Sequence, residues 1–367
     1  MPESSEPIVI VGGGVAGLAT AAGLLARKQE IKLLDRGWIP NRMGMGFILL
    51  RSGLDALVEL FPQVRWGHVG APVLGAKIMT STGEILDQRN LDVFAISRGT
   101  LLETMLAALP PGTLDASAYI ANVDADMDRR VRAVVCEDGR RFPCRALIGA
   151  DGVRSGLRRW LHPNASLAEV QHREVVSIID APDIAEALGT TFIKFYDPDG
   201  GLAVGAVNVG QGKVVWFVQH DASRYDWAGL DPAGLSWAIF TLIARWPAPV
   251  TELWSRTDFT RSHLWYVADM DPDYAYARRN LFLAGDAAHP VLSFTSHGAT
   301  GALEDAAVLA PLLAEAEDEN DIEFAGREYD ELRREVFERV VVEGREVLER
   351  FLLPLEDQAG VPLPLVK

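Results

Sequence analysis

Residues 8–26 read IVIVGGGVAGLATAAGLLA: four β-branched residues run directly into Gly12-x-Gly14-x-x-Gly17, and small and aliphatic residues follow. A buried strand that turns at once into a closely packed helix is the start of a βαβ unit, and so of a parallel sheet. Residues 31–34 supply the second strand, which ends at Asp35, roughly 20 residues after the glycines, where an acid can accept hydrogen bonds from an adenosine ribose. Arg36 follows it. Gly12 permits the turn, Gly14 lets backbone approach a pyrophosphate and Gly17 lets helix and strand pack closely. The helix start, with Val15 and Ala16 in its first turn, stabilises negative phosphates. Small residues would also suit packing alone, but the ordered set of strand, glycines, helix, strand and acid favours a dinucleotide. On this motif NAD and FAD both stay open.

A second segment complements the first. Residues 281–305, LFLAGDAAHPVLSFTSHGATGALED, read as a buried strand, a turn at Gly285-Asp286, a tight loop, and a helix opening at Gly298-Ala299-Thr300. The two segments suggest one extended cofactor held at both ends. Between them, residues 131–150 read as a hairpin and a buried strand that ends in Asp151-Gly152. From about residue 174 to 219, EVVSIID, TFIKFY, GLAVGAVNV and KVVWFVQ read as an antiparallel sheet. Residues 231–246 look helical. After Thr300 one helix reaches about Ala314, the acidic AEAEDENDIE reads as a solvated linker, and a long amphipathic helix spans about residues 325–351. The expected fold class is α/β, a Rossmann-like unit with an inserted antiparallel β-sheet domain and a C-terminal helix. The expected boundaries are 1–170 with 266–325, then 171–265 (with 70–95 as a possible addition), and 326–367.

Composition narrows the function. With 367 residues, 49% of them hydrophobic, the chain can bury a large core. Its formal charge of -16 opposes nucleic-acid binding. The pairs Arg129-Arg130, Arg140-Arg141, Arg158-Arg159 and Arg333-Arg334 read as marks of exposed turns and helix faces. Cys136 and Cys144 flank a turn at Asp138-Gly139 that would set Cys136 opposite Arg141, so no disulfide is expected and a reducing cytoplasm fits. The acidic MPESSEP is unlike a signal peptide, and the glycine-broken apolar run after it is no membrane span. No metal-ligand spacing appears.

Three motifs now stand in order: Gly12-x-Gly14-x-x-Gly17, then Ala150-Asp151-Gly152-x-Arg154-Ser155, then Gly285-Asp286-Ala287-Ala288-His289-Pro290. With ISRGTLLETMLAAL around Arg98, this order resembles the single-component FAD-dependent aromatic hydroxylases (group A flavoprotein monooxygenases) with the para-hydroxybenzoate hydroxylase fold. The resemblance covers most of the chain. It implies that Gly12, Gly14 and Gly17 face the pyrophosphate of FAD, Asp35 binds ribose, and Asp286 hydrogen-bonds the ribityl chain. Arg98 would sit near the ribityl-pyrophosphate region, Asp151 would shape cofactor contacts, and Arg42 would lie on the cofactor side. The helix start at Gly298, Ala299 and Thr300 would face the isoalloxazine, where negative charge builds up in the reduced ring. Asp151 could instead cap the following helix, and Asp286 could anchor a turn. His289 reads as structural.

The resemblance further implies that NADH or NADPH reduces FAD and that a C4a-hydroperoxide passes one oxygen atom to an aromatic or polycyclic small molecule, in a monomer or homodimer away from membranes. The chain departs from its relatives where Ser293 replaces a frequent proline, where Ser296-His297-Gly298 replaces a glycine pair such as G-Q-G, and where Thr300 replaces a frequent asparagine. Ser293 and His297 are therefore the catalytic candidates, although a hydrogen-bonded loop histidine is the simpler reading of His297. Phe192, Phe195, Tyr196, Asn208 and Trp216 are candidate cavity walls. The rival readings are a flavin dehydrogenase or reductase on the same fold and a non-catalytic FAD-dependent ligand-binding protein.

Overall fold

The computed structural model describes residues 6–38 and 45–358. The chain opens with β1 (Ile8–Val11), α1 (Val15–Ala26), β2 (Ile31–Leu34), β3 (Gly46–Leu50), α2 (Arg51–Leu60), β4 (Ala71–Thr80), β5 (Ile85–Ser97) and α3 (Arg98–Ala107). Next come β6 (Leu114–Asp115), β7 (Ile120–Ala125), β8 (Val131–Cys136), β9 (Arg141–Pro143), β10 (Ala146–Gly149) and α4 (Gly156–Leu161). The middle holds β11 (His172–Asp180), α5 (Pro182–Leu188), β12 (Thr191–Tyr196), β13 (Leu202–Asn208), β14 (Lys213–Asp221), α6 (Pro232–Ile243) and α7 (Val250–Ser255). The chain closes with β15 (His263–Trp265), β16 (Ala277–Arg278), β17 (Leu281–Leu283), α8 (His297–Glu315) and α9 (Glu319–Leu352).

The first sheet has the order β16-β17-β10-β1-β2-β6 and is parallel apart from its β16 edge. β1 and β10 are buried at every position, as expected of central strands covered on both faces. Gly12 has φ +117, and a Cβ there would lie 2.1 Å from the Ala150 carbonyl oxygen. A Cβ at Gly17 would lie 1.8 Å from the Gly12 oxygen. The turn is therefore steric in origin: β1, β10 and α1 approach too closely for any side chain. α1 packs alongside α8, and Gly23 admits Ala310.

The α/β class holds, and the second sheet is larger than expected. Its order is β15-β11-β14-β13-β12-β4-β5-β3, antiparallel except where β12 meets β4. β3, β4 and β5, which precede residue 171, are part of it. Residues 46–50 thus join this sheet together with the possible 70–95 addition, because β4 pairs in register with β12, Lys77 opposite Ile193, and β3 pairs with β5.

Several local readings are corrected. The acidic segment is no linker beyond residue 318, because α9 begins at Glu319. The Asp318 carboxylate accepts from the N–H groups of Asn320 and Asp321, and Asp321 accepts in return from Asp318 N–H. Acids at a helix start are stabilised by the dipole. The arginine pairs are not uniformly exposed, since Arg130, Arg158 and Arg333 are buried. In the β8–β9 hairpin Val135, not Cys136, faces Arg141, while Cys136 N–H donates to Arg140 O. The loop is one residue longer than expected, and both cysteines are buried and free. Among the described residues no helix is long and apolar enough to cross a membrane.

The α8–α9 crossing centres on Asp305, which is fully buried. Its Oδ2 accepts from Gly285 N–H at 2.7 Å and from His289 Nε2 at 2.6 Å, and its Oδ1 accepts from Arg333 Nε at 2.7 Å. The His289 ring stacks on Phe337 with centroids 3.4 Å apart, which gives it the structural role expected. Burial would raise the Asp305 pKa, but His289, Arg333 and the hydrogen bonds outweigh it and bring it down to about 2. A carboxylate depressed in this way contributes stability above its unfolded pKa of roughly 4 and loses it as pH falls toward its folded value. Asp305→Ala should cost about 3 kcal/mol, because it removes the buried acceptor shared by Gly285 N–H, His289 and Arg333 and leaves Arg333 with Glu304 alone. Denaturant melts at neutral pH test this, and the difference between variant and parent should shrink as pH is lowered from about 4.

Candidate functional site

One cavity of about 1200 Å³ runs from the turn after β1 to the face of the second sheet. It exceeds the roughly 300–1,000 Å³ of ordinary ligand clefts, so it has room for an extended cofactor and a second molecule.

At the first end Gly14, Val15, Ala16 and Arg36 line the wall. Gly14 is the N-cap of α1 and has no side-chain cap, so the first N–H groups of the helix open toward the cavity. A Cβ at Gly14 would meet nothing within 4 Å, unlike one at Gly12 or Gly17. Gly12 and Gly17 lie behind the wall and shape it. Asp35 also stands behind it, accepting from Gly13 N–H at 2.7 Å and Gly37 N–H at 2.9 Å. Each carboxylate oxygen keeps a further acceptor site. Arg42 lies outside the described residues.

Mid-cavity, Arg98 begins α3, and burial lowers its pKa against the opposing pull of Asp286 and Asp35. The Asp286 carboxylate opens into the cavity, where enclosure by protein raises its pKa despite His289, Arg158 and Arg98. Asp151 lines the wall and also caps α4, accepting from Ser155 Oγ at 2.5 Å and Gly156 N–H at 2.7 Å. Sequence reasoning missed Arg158, whose guanidinium donates to the carbonyls of Val153, Asp286 and Ala287 and ties both cofactor-facing loops together. A buried arginine in a sequence pair has no periodic signature.

α8 starts at His297 behind a left-handed Ser296, φ +55. Gly285, Gly298 and Ala299 line the cavity, whereas Thr300 does not. Its side chain is fully buried and Oγ1 accepts from Leu50 N–H at 3.0 Å, so it pins α8 to β3. His297 is also absent from the wall. Its Nδ1 lies 2.8 Å from Thr295 O, and burial lowers its pKa. That is the hydrogen-bonded loop histidine, and the catalytic candidacy of His297 has no geometric support. Ser293 does line the cavity and donates to Glu174.

Strand register sets the floor. Lys194, Gly205, Phe217 and Val176 lie opposite one another across four strands, and Glu174 faces Gln219 one pleat along. Phe192 shares this face and lines the cavity. Phe195 and Trp216 point to the other face and pack into the core beneath α6 and α7. Asn208 donates to Gly189 O, and Tyr196 is buried at the end of the floor outside the cavity lining. Gly205 is needed because a Cβ there would lie 2.3 Å from Phe217 Cζ, so the ring lies flat across the strand. Sequence reasoning missed Glu174, Lys194, Phe217 and Gln219, although a lysine inside TFIKFY was a signal.

A family model described as an FAD binding domain matches residues 99–343. The chain is 31% identical to 3-amino-4-hydroxybenzoate 2-monooxygenase PtmB3 of Streptomyces platensis, over 95% of this chain and 89% of that protein. It belongs to the FAD-binding-domain family of flavoprotein monooxygenases. Monooxygenase 1 of Arabidopsis thaliana is 27% identical over 84% of this chain and 78% of its own length. Among solved structures, Klebsiella pneumoniae HpxO complexed with FAD and uric acid shares the fold at a TM-score of 0.84, with 21% identity, 94% of this chain and 88% of that one covered.

This flavoprotein monooxygenase has the parts that FAD requires: a glycine at Gly14 open to the cavity, uncapped helix starts at both ends, and Arg98 between Asp35 and Asp286. Gly14→Ala should fold normally yet bind FAD at least about tenfold more weakly, whereas Gly17→Ala should lose both stability and flavin. Melting temperature and flavin absorbance of the purified variants separate the two cases.

Proposed function

We propose that this enzyme uses NADH or NADPH and O2 to place one oxygen atom on an aromatic small molecule lying on the floor of the second sheet. What carries the reading is the continuity of the cavity, from the glycine turn past Arg98 and Asp286 to an aromatic floor. When bound, FAD supplies the redox chemistry, taking up hydride and activating oxygen at its C4a position. The chain's own residues bind, orient and exclude water. Gly14 and the first N–H groups of α1 would face the pyrophosphate, with Gly12 and Gly17 shaping the turn behind them, Asp35 would offer its spare acceptor sites to ribose, and Asp286 with Arg98 would hold the ribityl region. The N–H groups that open α8 at Gly298 and Ala299 line the cavity and would stabilise the negative charge that collects on the flavin ring on reduction. Phe192, Phe217, Val207 and Val215 keep the reacting space dry.

The substrate class is supported by the benzoate named for the Streptomyces relative and by the uric acid and 2-aminobenzoylacetate named with the solved neighbours. We assign the first sheet to the cofactor and the second to the substrate, and place the protein in the cytoplasm, where its two free thiols would persist.

The test is turnover of the holoprotein under isotopically labelled oxygen with a panel of aromatic acids and phenols. One labelled atom in the product, with NADH or NADPH consumption that rises on adding the substrate, is the expected outcome. Nucleotide consumption with an oxidised but unlabelled product would assign the chain to the dehydrogenases instead, and a tightly held flavin with no consumption at all would favour ligand sequestration.

A further inference from the structure

The cavity floor carries a cation without a hydrogen-bonding partner. Lys194 is 4% exposed and lines the cavity, and among the described residues its Nζ donates no hydrogen bond. It sits instead against aromatic rings, with centroids at 4.8 Å for Tyr196, 5.5 Å for Phe294 and 5.9 Å for Phe217. Those ring faces offset part of the cost of burying a charge but leave three N–H donors unused.

The nearest carboxylate is already engaged. Glu174 Oε1 accepts from Ser293 and from Gln219 Nε2 at 2.5 Å, and His172 Nε2 lies 3.2 Å away. Burial would raise the Glu174 pKa, but these partners more than offset it and leave it low, so Glu174 is an anion. Because a carboxylate only accepts, the Gln219 amide must turn its nitrogen to Glu174, and its oxygen is then buried without a partner. Facing the cavity, Lys194 Nζ thus lacks an acceptor and Gln219 Oε1 lacks a donor, so a molecule lying there is held by offering an acceptor to the first and, where it carries one, an N–H or O–H to the second.

We propose that Lys194 holds the ionised oxygen of the aromatic substrate and selects for ligands that carry a carboxylate or phenolate. The anion neutralises the buried ammonium and takes up its free donors, while the ring of the ligand lies against Phe192 and Phe217. Burial pushes the Lys194 pKa down to about 7 against the pull of Glu174, which is the condition of a lysine whose counter-ion is incomplete until a ligand arrives. A second cation, Arg173, also reaches the cavity, but it points to the opposite strand face from Glu174 and stacks on Tyr266 at 4.2 Å, away from the Phe217 row.

The inference rests on the monooxygenase reading only in placing the substrate on this floor, and its test needs no turnover. Binding of benzoate and of its neutral isostere benzamide to the FAD-loaded protein is read from the change in flavin absorbance. The parent should prefer benzoate, and Lys194→Met should abolish that preference by weakening benzoate about ten- to a hundredfold while leaving benzamide nearly unchanged. Lys194→Arg should keep the preference, and so should Arg173→Gln. Flavin content equal to the parent's shows that each variant is folded, and Lys194→Arg carries the test if the methionine variant is not. Benzoate preference retained in Lys194→Met, preference lost in Lys194→Arg, or preference lost only in Arg173→Gln overturns the assignment. If preference follows Lys194 but no labelled oxygen reaches product, the anion site stands and the monooxygenase reading falls.

Discussion

The site depends on one buried carboxylate. Asp305 holds the N–H of Gly285, the ring of His289 and the guanidinium of Arg333 at once, so the loop before α8, α8 itself and α9 share a single anchor. Gly285 at φ +60 leaves its N–H pointing inward and turns the next side chain, Asp286, toward the cavity. Arg158 completes the clamp from the other side by donating to the Asp286 and Ala287 carbonyls. A loop fixed by charges on two sides and by stacking on Phe337 is a rigid mount, which suits groups that must wait in place for a cofactor.

α1 and α8 lie side by side in the same direction: Gly285, in the loop before α8, lies against both Ala16 in the first turn of α1 and Ala302 near the start of α8, and Gly23 further along α1 lies against Ala310. Their positive ends therefore meet at the cavity. Parallel neighbouring dipoles repel, and the arrangement becomes favourable only with negative charge in front of both. Arg98 adds to the same field, balanced in part by Asp35 and Asp286. A chain with a net charge of -16 thus brings two helix N-termini and an arginine together at its cavity.

What could be read from the sequence was local. The βαβ turn is written in consecutive residues, because Gly12 and Gly17 are dictated by contacts within that unit and with Ala150, and its strand ends were placed as found. The loop at residues 285–290 was legible for the same reason. The floor was not, because its membership depends on β12 pairing with β4 across more than a hundred positions of chain and on which pleat each residue occupies. Alternation alone could have separated Phe192 from Phe195, but without the pairing nothing said which of them faced the cavity. Thr300 and His297 were drawn to the site by their neighbours in sequence. A single hydrogen bond to Leu50 and another to Thr295 turn them away.

The second sheet keeps its two faces apart. Ile193, Phe195, Val204, Ala206, Trp216 and Val218 form the core beneath α6 and α7, while Phe192, Val207 and Val215 face the cavity from the same strands. Because side chains alternate strictly, a cavity residue can change size without touching a residue of that core. The scaffold and the selectivity of this protein are therefore separately inheritable: the lineage can try new ligands at positions 192, 207 and 215 while the opposite face stays intact.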